Sequence, residues 1–154
     1  MRVSCLTTWL DYHWRRGVPE PDPKQVVRRL IDEVMNRGDL SVLDDLYSPR
    51  LTAAARRWIE PFLASFSDVH MRIVELVAEG ETVVGRFACS GTHTGTWLGH
   101  QATGRRFQDV AEVYFFRIVD RRIVRAWGLE DTHERLRQLG LNDARGQAGD
   151  DPLR

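Results

Sequence analysis

Between Val26 and Met35 the apolar residues recur at three- and four-residue steps: Val26, Val27, Leu30, Ile31, Val34 and Met35 share one stripe, opposite Arg28, Arg29, Asp32 and Glu33. That period predicts an amphipathic helix. Its start is marked at Asp22, where an N-cap aspartate, Pro23 at the first helical position and Gln25 at the reciprocal capping position agree, and Gly38 ends it. Asp39 then caps a short second helix carrying Leu40, Leu43 and Leu46, which "YSP" stops. A third helical stretch, "TAAARRWIEPFLASF", is expected to break or kink at Pro61. From Val69 the pattern becomes that of strands. "VHMRIVELVA", "TVVGRFACSG", "RFQDVAEVYFFRIV" and "RIVRAWGL" are rich in β-branched and aromatic residues, and "EGE", a long Gly-rich stretch and "DR" separate them. Four strands in a meander follow. Asp131, with Glu134 three residues on, opens a last helix that Gly140 and Leu141 terminate.

Helices first and an antiparallel sheet after predict an α+β fold in which a curved antiparallel sheet forms a cone wrapped around the N-terminal helices. The open mouth of such a cone is a natural small-molecule pocket. Residues 1–21 end in "GVPEPDP", whose prolines cannot continue regular structure, so they are read as an N-terminal extension whose aromatic residues are able to dock on the fold. The domain itself is placed at 22–141, and the polar "NDARGQAGDDPLR" of 142–154 as a disordered tail.

A chain of 154 residues suits one domain with a real core. Its formal net charge of +0 gives no field suited to a phosphate backbone, so nucleic acid is not an expected partner. No stretch approaches the roughly 20 apolar residues that span a bilayer, and the apolar patch near the start is too short for a secretory core. Cys5 and Cys89 fit no metal spacing and suit a reducing cytosol, and a cytoplasmic location is expected.

The candidate chemistry lies mostly in the last hairpin. If Asp120 and Arg121 form a two-residue turn, Val119 faces Arg122, and counting back puts Glu112, Tyr114 and Phe116 on the same sheet face as Arg125, Trp127 and Leu129. A carboxyl among aromatic rings would be desolvated and held protonated, which is how it becomes a general acid or base near neutrality. Glu112 is thus the preferred acid/base residue, with Tyr114 as hydrogen-bond donor to a developing oxyanion. The competing reading pairs Glu112 with Arg125 or another arginine, or makes this sheet face the dimer face. His93 is a secondary proton-transfer candidate, its alternative being a strand-end histidine bonded to loop backbone. Trp58, Trp97, Phe116, Arg125 and Trp127 are the candidate walls of a pocket for an apolar or aromatic molecule. The histidines and carboxylates show no metal-ligand spacing, so no metal is expected. In "CSGTHTGTWLGHQATGRRF" the glycines do not open a helix after a strand, so this stretch reads as a long bent connection at one end of the cone.

"VVRRLIDEVMNRGDLSVLDDLYSP", "FSDVHMRIVELVAEGETVV", "CSGTHTGTWLGHQATGRRF" and "YFFRIVDRRIVRAWGLEDTHERLRQLGL" together resemble the SnoaL-like polyketide cyclases and ester cyclases of the nuclear-transport-factor-2-like superfamily, over about residues 24 to 141. The resemblance implies a cone-shaped, cystatin-like α+β barrel, often a homodimer, with no metal or organic cofactor. It also implies an intramolecular aldol closure of a polyketide-like substrate by acid/base chemistry. Two departures stand out. Members with that chemistry commonly carry an acid directly after the tryptophan that is Trp127 here, and this chain has Gly128; a histidine-containing stretch after the second helix is also lacking. Glu130, two residues beyond the vacated position, is the candidate replacement. The leading expectation is a small-molecule enzyme performing cyclisation, isomerisation, dehydration or hydrolysis without a cofactor. Its alternative is a non-catalytic ligand-binding or dimerisation domain of the same fold.

Overall fold

The computed structural model describes residues 22–141, so the N-terminal extension and the C-terminal tail lie outside the described residues. Asp22 accepts the backbone N–H of Lys24 at 3.0 Å and starts helix α1, Lys24–Arg29, which passes into a π-helical turn at Leu30–Met35. All six stripe residues are buried. The wider turn ends with Asn36 donating to the Ile31 carbonyl at 2.9 Å. The side chain of Asn36 then exchanges two hydrogen bonds with the backbone of Met71 in the sheet. Gly38 leaves the helix at φ +72°, and Asp39 accepts the Ser41 N–H to begin a 3₁₀ turn, Leu40–Val42, and helix α2, Leu43–Leu46. Helix α3, Pro49–Ser65, continues through Pro61 where a break or kink was expected. Pro61 has no N–H to donate to the Arg57 carbonyl, and both residues lie on the exposed side of the helix.

Strands β1, Phe66–Glu79, β2, Thr82–His93, β3, Arg106–Val119, and β4, Arg122–Glu130, form one antiparallel sheet in the order β1-β2-β3-β4. Each of the three pairings contains a register shift, two of them in β1·β2. Bulges bend strands and increase their twist, and here they curl the sheet. The helices fill the concave side: Val27, Val34, Leu43 and Ile59 pack at 0% exposure against Val83, Phe87, Phe107 and Ile123. Each such side chain contributes about 1.5–3 kcal/mol by leaving water. Helix α4, Thr132–Gln138, closes one end of the concave side; Asp131 accepts the Glu134 N–H at 2.9 Å, and Gly140 at φ +70° lets Leu141 bond back to Leu136.

The β3–β4 turn is at Asp120 and Arg121, both at positive φ, and Val119 faces Arg122 as expected. The faces that follow are not as expected. The register runs Ile118 to Ile123, then Arg117 to Arg125, so Val124 is extra. That bulge reverses the parity beyond it. Glu112, Tyr114 and Phe116 therefore share the concave face with Ala126, Gly128 and Glu130, whereas Arg125, Trp127 and Leu129 point outward with Val113 and Phe115.

Candidate functional site

Glu112 stands in the middle of β3 on the concave face, cross-strand from Phe87 on one side and Glu130 on the other. It is buried to 2%. Its carboxylate meets the guanidinium of Arg135, which α4 delivers into the cone. Arg135 has a second nitrogen 2.7 Å from Glu130, and Glu130 in turn accepts the Tyr114 phenol at 2.6 Å. One cation is thus shared by two carboxylates. Around it the rings of Phe62, Trp97 and Phe107 lie 5.0–5.4 Å from the guanidinium carbon, a set of contacts that favours a desolvated cation.

Burial raises Glu112 from 4.5 to about 7, because removing a carboxylate from water outweighs the pull of Arg135, and the charge on Glu130 pushes the same way. Burial and the two adjacent carboxylates push the Tyr114 phenol up, so it stays protonated and donates. Arg135 is held above its ordinary value by the two carboxylates, despite its burial, and stays charged. The cluster therefore combines a carboxyl that changes charge near neutral pH, a fixed positive charge and a fixed donor. The two carboxylates differ in access: the Glu112 side chain is 1% exposed and that of Glu130 is 30%.

Of the residues singled out from the sequence, Glu112, Tyr114 and Glu130 come together. Trp58, on α3, stacks on Tyr114 with centroids 6.1 Å apart and is 42% exposed, and Phe116 lies 6.1 Å from the same ring. Trp97 covers Arg135. Arg125 and Trp127 are not in the site; Trp127 stacks on Phe115 on the convex face at 4.3 Å. His93 is fully buried against Phe66, its Nδ1 accepting the Thr103 N–H at 3.3 Å, and burial lowers its pKa against the opposing effect of the Gly95 carbonyl. This is a clasp on the 94–105 connection, and it fixes the proton on Nε2. Among the described residues no group of three His, Cys, Asp or Glu side chains is arranged to hold a metal ion. A wide cleft of about 490 Å³ runs along α3 past Asp44, Thr52, Arg56 and Glu60. Arg56 pairs with Asp44 there at 3.7 Å.

Arg135 is the residue that the sequence reading did not name. The signal was helical spacing: Arg135 lies four residues before Leu139, which is buried to 0%, so the same helix face carries both.

A family model, SnoaL-like polyketide cyclase, matches residues 25–139. The chain is 33% identical over 108 residues to aklanonic acid methyl ester cyclase DnrD of Streptomyces peucetius, covering 70% of this chain and 72% of that one. It is 31% identical over 115 residues to aklanonic acid methyl ester cyclase DauD of a Streptomyces species, covering 75% and 70%. Its backbone is similar to that of TsrD from Streptomyces laurentii, with a TM-score of 0.73 at 28% identity over 79% of this chain and 99% of the other. These likenesses agree with the cone of helices and curved sheet, and the chain belongs to the SnoaL-like polyketide cyclase family.

Proposed function

We propose that the chain closes a ring in an apolar, polyketide-like ester by acid/base chemistry of its own side chains, with Glu112, Glu130, Tyr114 and Arg135 as the machinery. The observation that carries this reading is the shared guanidinium. It joins a buried carboxyl that titrates near neutrality to a second carboxylate that solvent reaches. In an aldol-type closure a base removes a proton from carbon next to a carbonyl, and the enolate bonds to a second carbonyl, whose oxygen takes up a proton. Glu130, the accessible carboxylate, is assigned the abstraction; the adjacent Tyr114 phenol donates to the developing oxyanion. Glu112 is the acid partner that still holds a proton near neutral pH. Trp58, Phe116 and Trp97 supply the aromatic walls.

The names of the two cyclases make aklanonic acid methyl ester the first probe. Ring closure followed by liquid chromatography should fall about 100-fold or more in kcat for Glu130→Gln and for Glu112→Gln. Unchanged turnover in both variants rejects the assignment. The non-catalytic reading draws on Gly128 and on the tight burial of the Glu112–Arg135 pair; an ester that binds the wild type without ring closure would establish it. The proposal includes a homodimer, formed through the convex face around Trp127 and Leu129.

A further inference from the structure

Tyr114 lies in a row of four cross-strand partners, Leu76–Gly85–Tyr114–Gly128, on the concave face. A large ring between two strand glycines is a local choice with a steric reason. A Cβ on Gly128 would come within 2.2 Å of Tyr114 Cδ1 and 2.7 Å of its Cε1, so the ring occupies the volume that any side chain at 128 would need. On the other flank a Cβ on Gly85 would come within 2.2 Å of the Phe87 ring instead. Phe87 and Tyr114 thus each lie over a glycine, with centroids 6.0 Å apart. From this position the phenol reaches diagonally past 128 to Glu130, the next residue of β4 on the same face.

We propose that Gly128 is the positioning residue of the acid cluster: its missing side chain seats the Tyr114 ring and so directs the phenol at the carboxylate of Glu130. The inference rests on the reading of Glu130 and Tyr114 as machinery, but its test does not need turnover. A second contact acts at the same place, because the Cβ would also lie 2.6 Å from the Val113 carbonyl oxygen. Gly128 therefore permits both a close backbone approach and the ring, and the two effects must be separated.

The measurement is the side-chain carboxyl ¹³C signal of Glu130 in protein labelled at glutamate, recorded without substrate and assigned by its loss in Glu130→Gln. Tyr114→Phe removes the phenol hydrogen bond and sets the reference displacement of that signal. Gly128→Ala is expected to displace the signal in the same direction by at least half as much, while Gly85→Ala, which meets Phe87, leaves it in place. In a Tyr114→Ala background, Gly128→Ala should shift the urea midpoint less than half as far as it does in the wild type, because only the Val113 contact remains. An undisplaced Glu130 signal in Gly128→Ala overturns the proposal, as does an equal midpoint shift in both backgrounds. Should Gly128→Ala not fold, the Tyr114→Ala/Gly128→Ala double variant decides: a double variant that folds supports the proposal, and one that does not fold overturns it, because the loss then comes from the Val113 contact. Loss of turnover in Glu130→Gln with a normal signal in Gly128→Ala would reject the positioning role and leave the proposed function standing.

Discussion

Glu112 takes its chemistry from its surroundings. A glutamate on an exposed strand edge would titrate near 4.5, whereas here the Phe87 and Tyr114 rings exclude water, and Arg135 offsets only part of the lost hydration. The sign of the consequence follows from linkage. A carboxyl whose pKa is raised on folding binds its proton more tightly in the folded chain, so its contribution is fully present below 4.5 and is lost as pH rises through about 7. The difference is roughly 3 kcal/mol, from about 1.4 kcal/mol per unit. Urea unfolding from pH 5 to 8 should show this decline in the wild type and a flatter profile in Glu112→Gln; parallel profiles would refute it. Arg135 supplies the complementary test. Removing one member of a buried pair leaves an uncompensated charge and costs about 3–5 kcal/mol. Arg135→Met should therefore destabilise strongly at pH 8, much less at pH 5 where Glu112 is protonated, and the Glu112→Gln/Arg135→Met double variant should regain much of the loss. A cost in Arg135→Met that is the same at both pH values would show that Glu112 does not sense the arginine.

At the scale of elements, the stripe from Val26 to Met35, the caps at Asp39 and Asp131, the glycine stops at Gly38 and Gly140, and the Asp120–Arg121 turn were all legible, because each is decided by residues close in sequence. The face of β4 was not. The adjacent apolar residues Ile123 and Val124 are the one local sign that alternation fails there, and which of them is extra depends on Ile123 packing at 0% exposure under the helices. One unseen bulge moved Trp127 and Arg125 out of the expected pocket and brought Glu130 into it. Arg135 escaped for a related reason: a charged residue in a short helix is ordinarily solvated, and only two carboxylates and three rings contributed by other elements make its burial favourable. Inserting one alanine between Val124 and Arg125 tests the parity directly. With the pairing of Ile118 and Ile123 kept, the insertion places Trp127 opposite Tyr114 and Leu129 opposite Glu112, which turns both inward and Glu130 outward, so it should abolish cooperative unfolding or activity. An insertion variant that keeps wild-type stability and turnover would show that the parity of β4 does not matter.

The whole molecule separates two surfaces by that same parity. The concave side takes the helices and the acid cluster. The convex side carries a row of partners across all four strands, Val77–Val84–Phe115–Trp127, flanked by Val113 and Leu129. Val77 is 55% exposed, Trp127 51% and Leu129 73%, and the flat stack of Phe115 on Trp127 gives the band a rigid centre. A contiguous apolar band of this kind is a surface that association covers. A second copy meeting it face to face, as the proposed homodimer does, would leave both cones open on the far sides. The row also has arginines at its edges, and two of them, Arg86 and Arg117, are paired within their own chain to Glu75 and Glu81. Replacing the central ring with a charge should be decisive, because a desolvated carboxylate inside an interface is costly. Light scattering coupled to gel filtration should give twice the chain mass for the wild type and the chain mass for Trp127→Glu. The Glu112–Arg135 pair, on the opposite face, should keep its pH-dependent stability in that monomer. A wild type that is monomeric at tens of micromolar, or a Trp127→Glu variant that stays dimeric, would show that the convex band is not the contact between copies.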